Sequence, residues 1–266
     1  MYQFEEFPFP CNGIEHPVFR HGSGPAVVVL HELAGLSQPT NDLARRLADA
    51  GFTAYLPAFY GRPGHHGVLA AGIRLFCLRR EFKLLALDQS SPVADWARAL
   101  CAHAHGCCGG PGVGVVGMCL TGGLALAATI EPSVLAAVSG QPALPLAFPP
   151  TRRRRANLGM SPTELEAAAG TGTPVMTLRF RCDQISPRAR ATAIGDAFGA
   201  NATLVEVPED GGYRSADPPI RPLAHSVLTF DLADRPGHPT RLALDRVLAF
   251  LRGALLEAPD EPGTGR

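Results

Sequence analysis

Short apolar runs alternate along this chain with longer stretches whose apolar positions recur at helical spacing. The short runs read as buried strands: Ala26 to Leu30, Thr53 to Pro57, Gly112 to Val116, Val134 to Val138, Pro174 to Phe180 and Ala202 to Val207. Between them lie helical patterns. Thr40 or Asn41 caps one that runs through Ala50. Ser91-Pro92 opens another, with proline in the first turn, continuing to about Ala104. Ser161-Pro162-Thr163-Glu164 reads as a capping box for a short helix, Pro187 to Phe198 as a further helix, and Pro239 to Leu256 as a final amphipathic one. Strands that alternate with helices predict an α/β domain with a mostly parallel central sheet and helices on both faces. The pattern spans residues 1–257 as one domain, and the Pro/Gly-rich residues 258–266 read as a disordered tail. The Pro-rich Gln141 to Pro150 and the run Arg152-Arg153-Arg154-Arg155 read as a connecting loop with solvated charges.

Composition changes this picture only by exclusion. At 266 residues the chain is long enough to fill the core of one such domain. Its 24 basic residues balance 24 acidic ones, so no global field attracts nucleic acid or an anionic membrane. Lys83 is the one lysine. Seven cysteines at irregular spacing do not form a disulfide framework. The start, Met1-Tyr2-Gln3-Phe4-Glu5-Glu6, is acidic where a secretion signal is basic, and the longest apolar stretch is broken at Glu131-Pro132. A cytoplasmic protein with free thiols and no membrane span is the expectation.

The chemistry concentrates around Gly117-Met118-Cys119-Leu120-Thr121-Gly122. A β-branched run ends at Gly117, small residues follow, and the apolar Leu124 to Ala128 comes next. This reads as strand, tight turn and helix with Cys119 at the apex, the nucleophile elbow of an α/β-hydrolase with Cys for Ser and Thr121 at the second small position. A helix N-terminus beneath the sulfur favours a thiolate. Taken alone, the segment also fits a buried structural cysteine beside a Gly-rich turn. Other residues complete a nucleophilic set. Asp183 follows the strand Pro174 to Phe180, at the strand end where ligands gather in open α/β sheets. Of the two histidines beyond it, His225 lies in an irregular segment and His238 in a turn before the last helix; position favours His225. The backbone N–H of Leu120 and one from the loop His31 to Leu36 suit an oxyanion hole.

Three other signals carry less weight. Gly112-x-Gly114-x-x-Gly117 spells a dinucleotide fingerprint but lies within the strand rather than after it. His31-Glu32 begins like a zinc-protease motif, yet Gly35 stands where the second histidine belongs. The soft ligands from Cys101 to Cys108 fall in a loop at the amino end of the sheet, away from the expected chemistry.

From Phe4 to about Leu256 the chain resembles the dienelactone hydrolase family. The likeness is carried by Val-Val-Leu-His-Glu-Leu-Ala-Gly-Leu ending at Leu36, by Tyr55 to Gly61, by Gly117 to Gly122, by Asp183 after Leu178-Arg179-Phe180, and by His225-Ser226. This resemblance implies an α/β-hydrolase fold without a large lid and a Cys119, Asp183 and His225 triad. It also implies Glu32 as the glutamate that holds the resting thiol until substrate displaces it, and Leu33 and Leu120 as the oxyanion donors. Hydrolysis of a small ester or lactone through a thioester is the implied activity, with no metal or cofactor; a non-catalytic scaffold of the same fold is the alternative, against which an intact triad argues. One departure concerns the two arginines by which the family holds a substrate carboxylate: Thr229 stands at one of these positions, and the other falls in the segment carrying Arg74, Arg79 and Arg80.

Overall fold

The structure, a computed structural model, describes residues 4–60, 82, 86–208 and 224–257. Eight strands form one sheet: β1 (Glu5–Cys11), β2 (Ile14–Gly22), β3 (Ala26–Leu30), β4 (Thr53–Pro57), β5 (Val113–Met118), β6 (Val134–Gly140), β7 (Val175–Phe180) and β8 (Ala202–Val207). Their spatial order is β1-β2-β4-β3-β5-β6-β7-β8. Only β2 runs against its neighbours; from β4 to β8 all pairs are parallel. Seven helices are described: α1 (Gln38–Asp49), α2 (Pro92–Cys108), α3 (Gly122–Ala128), α4 (Arg152–Ala156), α5 (Pro162–Gly170), α6 (Arg188–Phe198) and α7 (Pro239–Leu255). This is the α/β-hydrolase fold. Among the described residues, the connection after β6 carries only the short α4 and α5, and no lid domain is present.

The period-two alternation of the strands divides the core into two layers. On β3, Val28 and Leu30 join one core with α2, α3 and α6; Val27 and Val29 join the other with α1 and α7. Both layers close tightly on β5. A Cβ at Gly114 would lie 2.8 Å from Leu251 Cδ2 on α7, so the glycine that mimics a dinucleotide motif is there for helix–sheet packing.

Several expectations change. The β1–β2 hairpin has no counterpart in the strand pattern, because Pro8 and Pro10 argue against a strand. Both prolines sit on the sheet edge, where missing ladder bonds cost little, and Phe7 and Phe9 still pack inward. Asn12-Gly13, both at positive φ, is the turn signal that marks this hairpin. Helix α1 starts earlier than Thr40 or Asn41: Ser37 is its cap, accepting from the Thr40 N–H. Arg152–Arg155 lie in the helical turn α4, capped by Thr151, rather than in an open loop. The segment Cys101 to Cys108 belongs to α2, not to a loop, and buries Cys101 and Ala104. The six described cysteines are free. No described helix is long and apolar enough to cross a membrane. Residues 258–266, with Arg74, Arg79 and Arg80, lie outside the described residues.

Candidate active site

Strand β5 delivers Cys119 into a short 3-10 turn (Cys119–Thr121) that leads directly into α3. The cysteine backbone sits at φ +54°, a strained conformation for a residue with a side chain. Three contacts hold it there. A Cβ at Gly117 would stand 2.3 Å from the Thr121 carbonyl oxygen, so only glycine lets the turn fold back on the strand. The Thr121 hydroxyl accepts from the Met118 N–H at 2.9 Å and donates to the Leu30 carbonyl at 2.9 Å, pinning the turn to the end of β3. The Ala143 N–H donates to the Cys119 carbonyl at 2.8 Å. Thr121, a departure from the usual small residue, therefore serves as a hydroxyl fastener.

The second loop at this edge leaves β3. His31 is fully buried and ties the loop to β4's end: its Nδ1–H donates to the Glu32 carbonyl at 2.7 Å, and its Nε2 accepts from the Phe59 N–H at 3.1 Å. One nitrogen donates and the other accepts, so the ring is neutral. Burial pushes its pKa down to about 4, against the hydrogen bond to Glu32. The zinc-like His31 is thus a fixed brace. It shapes the turn that carries Leu33, while Leu120 lies at a helix start, where N–H groups have no intrahelical acceptor.

Asp183 and His225 meet although they are 42 residues apart. His225 Nδ1 lies 2.7 Å from Asp183 Oδ2, a carboxylate that is almost fully buried. The other oxygen, Oδ1, accepts from the N–H groups of Ile185 at 2.9 Å and Ser186 at 3.0 Å, so one carboxylate closes its own turn and holds the ring. His225 Nε2, without a partner in hydrogen-bond geometry, is on the side that faces Cys119. Burial disfavours charge on this ring. The hydrogen bond to Asp183 and the interaction with the Cys119 sulfur outweigh burial and push the pKa up to about 10. His238 is elsewhere; it caps α7, accepting from the Thr240 N–H.

Glu32 is buried, 4 % exposed, but its oxygens meet hydroxyls rather than the thiol: Ser226 Oγ donates to Oε2 and Thr229 Oγ1 to Oε1. Burial pushes the Glu32 pKa up; the two hydroxyls and His225 oppose that, and Asp231 adds to it. The expected Glu32–thiol contact is therefore replaced in this structure by a Glu32–Ser226–Thr229 cluster.

Three residues that support this site were not anticipated. Asp231 Oδ2 accepts from the N–H groups of His225 and Ser226, both at 3.0 Å, and closes the turn that presents the histidine. Arg179, a lone charge in the apolar β7, donates to the carbonyls of Ser186, Arg181 and Asp183 and pairs with Glu206. Arg190 on α6 is fully buried and donates to the carbonyls of Pro142 at 2.9 Å, Pro145 at 2.8 Å and Arg154 at 3.1 Å. Burial pushes its pKa down to about 10, with Asp183 opposing. An arginine inside an apolar strand is the one sequence signal among these.

A sequence model of the dienelactone hydrolase family matches residues 17–208. No curated protein sequence matches the chain. Among solved structures, a dienelactone hydrolase from Anabaena variabilis ATCC 29413 is similar at 16 % identity, with 95 % of this chain and 99 % of that one covered and a TM-score of 0.61. A dienelactone hydrolase-like promiscuous phosphotriesterase from metagenomic libraries is similar at 15 % identity, covering 95 % and 98 %, with a TM-score of 0.58. The 2,6-dihydroxy-pseudo-oxynicotine hydrolase is similar at 19 % identity, covering 99 % and 72 %, with a TM-score of 0.61. At these identities the structural likeness speaks for the fold.

Proposed function

Because this chain belongs to the dienelactone hydrolase family, we propose that it hydrolyses a small carboxylic ester or lactone through a thioester on Cys119. The observation that supports this most is His225, bonded to Asp183 through Nδ1 while its Nε2 faces the cysteine at the strained apex of the elbow. A histidine whose pKa is pushed up, against burial, by Asp183 and the Cys119 sulfur is the counter-ion a thiolate nucleophile needs.

The reaction runs in two halves. The Cys119 thiolate attacks the ester carbonyl carbon, and the carbonyl π electrons move to oxygen, where the N–H groups of Leu33 and Leu120 receive the charge. Collapse of this intermediate expels the alkoxide, which takes the Nε2 proton of His225 and leaves as alcohol. A water molecule then gives its proton back to Nε2 and attacks the thioester. The thiolate leaves, the acid product is released, and the imidazolium is restored. Asp183 keeps the ring in the tautomer that makes both transfers through Nε2. A thiolate expels activated oxygen leaving groups such as enols or phenols far more readily than amines, so amides are poor substrates.

Cys119→Ala tests this reading. The variant keeps its fold and loses turnover of p-nitrophenyl acetate, and the wild-type protein shows an acyl mass adduct on Cys119 during turnover. Undiminished turnover in a folded Cys119→Ala protein overturns it.

A further inference from the structure

Both oxygens of the buried Glu32 carboxyl group are taken by hydroxyls on the segment that carries His225, 194 and 197 residues further along the chain. Resting on the Cys119–Asp183–His225 reading above, we propose that Ser226 and Thr229 are positioning residues that hold Glu32 off the Cys119 sulfur before substrate arrives, leaving the sulfur to His225.

The competition is between donors. A buried carboxylate must find hydrogen bonds inside the protein. Two hydroxyls offer strong charge-assisted bonds, whereas a thiol is a weak donor. To reach the thiol, Glu32 must give up at least one hydroxyl. The hydroxyls themselves are not free to follow it. Ser226 N–H donates to Asp231, the Thr229 N–H returns to the Ser226 carbonyl at 3.3 Å, and the Asp231 N–H donates to the same carbonyl at 3.0 Å. Moving the hydroxyls means moving the turn that holds His225. On the opposite side, the Tyr60 hydroxyl donates to the Glu32 backbone carbonyl at 3.0 Å and fixes the loop itself. Among the described residues, the charged and titratable groups that act on Glu32 are His225, Asp231 and Tyr60. Thr229 is short, and its hydroxyl is already engaged with Glu32, so it does not hold a substrate carboxylate as an arginine would. In this arrangement no anionic substrate is needed to dislodge Glu32, and the nucleophile is ready for neutral esters.

The test follows alkylation of Cys119 by iodoacetamide, without substrate, by peptide mass spectrometry. Thr229→Val keeps the shape and removes the donor. The freed carboxylate then accepts a hydrogen bond from the thiol, whose proton stays on sulfur, or sets its charge beside the sulfur and disfavours the thiolate; alkylation slows by roughly tenfold or more, the worth of one hydrogen bond to a charged group. Thr229→Ser retains the hydroxyl and the wild-type rate. The double variant Thr229→Val/Glu32→Gln removes the released charge and recovers the rate, which a merely structural role of Thr229 does not predict. Wild-type alkylation rates in Thr229→Val, or a double variant as slow as Thr229→Val, overturn the latch alone. If wild-type Cys119 reacts no faster than the exposed Cys107, and its alkylation leaves ester turnover intact, the nucleophile assignment falls and the latch falls with it.

Discussion

Asp183→Asn separates the two tasks of one carboxylate. Asparagine keeps an oxygen for the Ile185 and Ser186 N–H groups, so the turn survives. Its amide nitrogen then faces His225 Nδ1 across the 2.7 Å contact, and a donor meets a donor. The ring responds by moving its proton to Nε2, which is the wrong tautomer for taking a proton from water. The loss of a charge-assisted hydrogen bond amounts to about 1.5–3 kcal/mol. At about 1.4 kcal/mol per pH unit, this lowers the His225 pKa by roughly one to two units from its value of about 10. The sign follows from the direction of the perturbation: Asp183 holds the proton on the ring, so its loss brings the alkaline limb of activity down. Turnover falls by about 10²- to 10⁴-fold, the range for general acid–base catalysis with a misplaced tautomer. The assays are kcat/KM for p-nitrophenyl acetate across pH and an NMR titration of the His225 ring. Asp183→Ala, which also loses the turn, should match the activity loss and melt at a lower temperature. An Asp183→Asn protein within threefold of wild-type activity, with an unmoved ring titration, refutes the reasoning.

Three further outcomes are expected. His225→Ala removes turnover, whereas His238→Ala costs only about 1 kcal/mol of stability through the lost α7 cap; kinetics and thermal melts on both variants check the contrast, and the reverse result reassigns the base. Arg190→Met leaves the carbonyls of Pro142, Pro145 and Arg154 without their donor and destabilises the protein by roughly 3 kcal/mol or more in urea unfolding. Turnover should slow too, because Ala143 in the same loop bonds the Cys119 carbonyl. A dienelactone and its uncharged methyl ester should give similar kcat/KM, since the Thr229 hydroxyl is committed to Glu32; a strong preference for the free carboxylate reveals a cationic clamp and contradicts this.

How far the site was legible depended on the range of the interactions concerned. The strand and helix alternation is written locally, because burial on one face imposes a period of two or of 3.6 on neighbouring residues. The elbow is equally local: Gly117, Cys119 and the apolar α3 lie within a dozen positions, and their close approach demands small residues there. Order along the strands then placed Asp183 and His225 at the same sheet edge. The hairpin was hidden for a local reason too, since prolines weaken a strand signal that an edge position tolerates. What the tertiary structure alone decided were the partners of polar groups. Ser226 and Thr229, not Cys119, claim Glu32. Arg179, Arg190 and Asp231 satisfy buried or turn-forming backbone groups. Hydrogen bonds act over about 3 Å in space, with no period along the chain, so a contact between residues 42 or 194 positions apart leaves no pattern for a sequence to show until the backbone is closed around it.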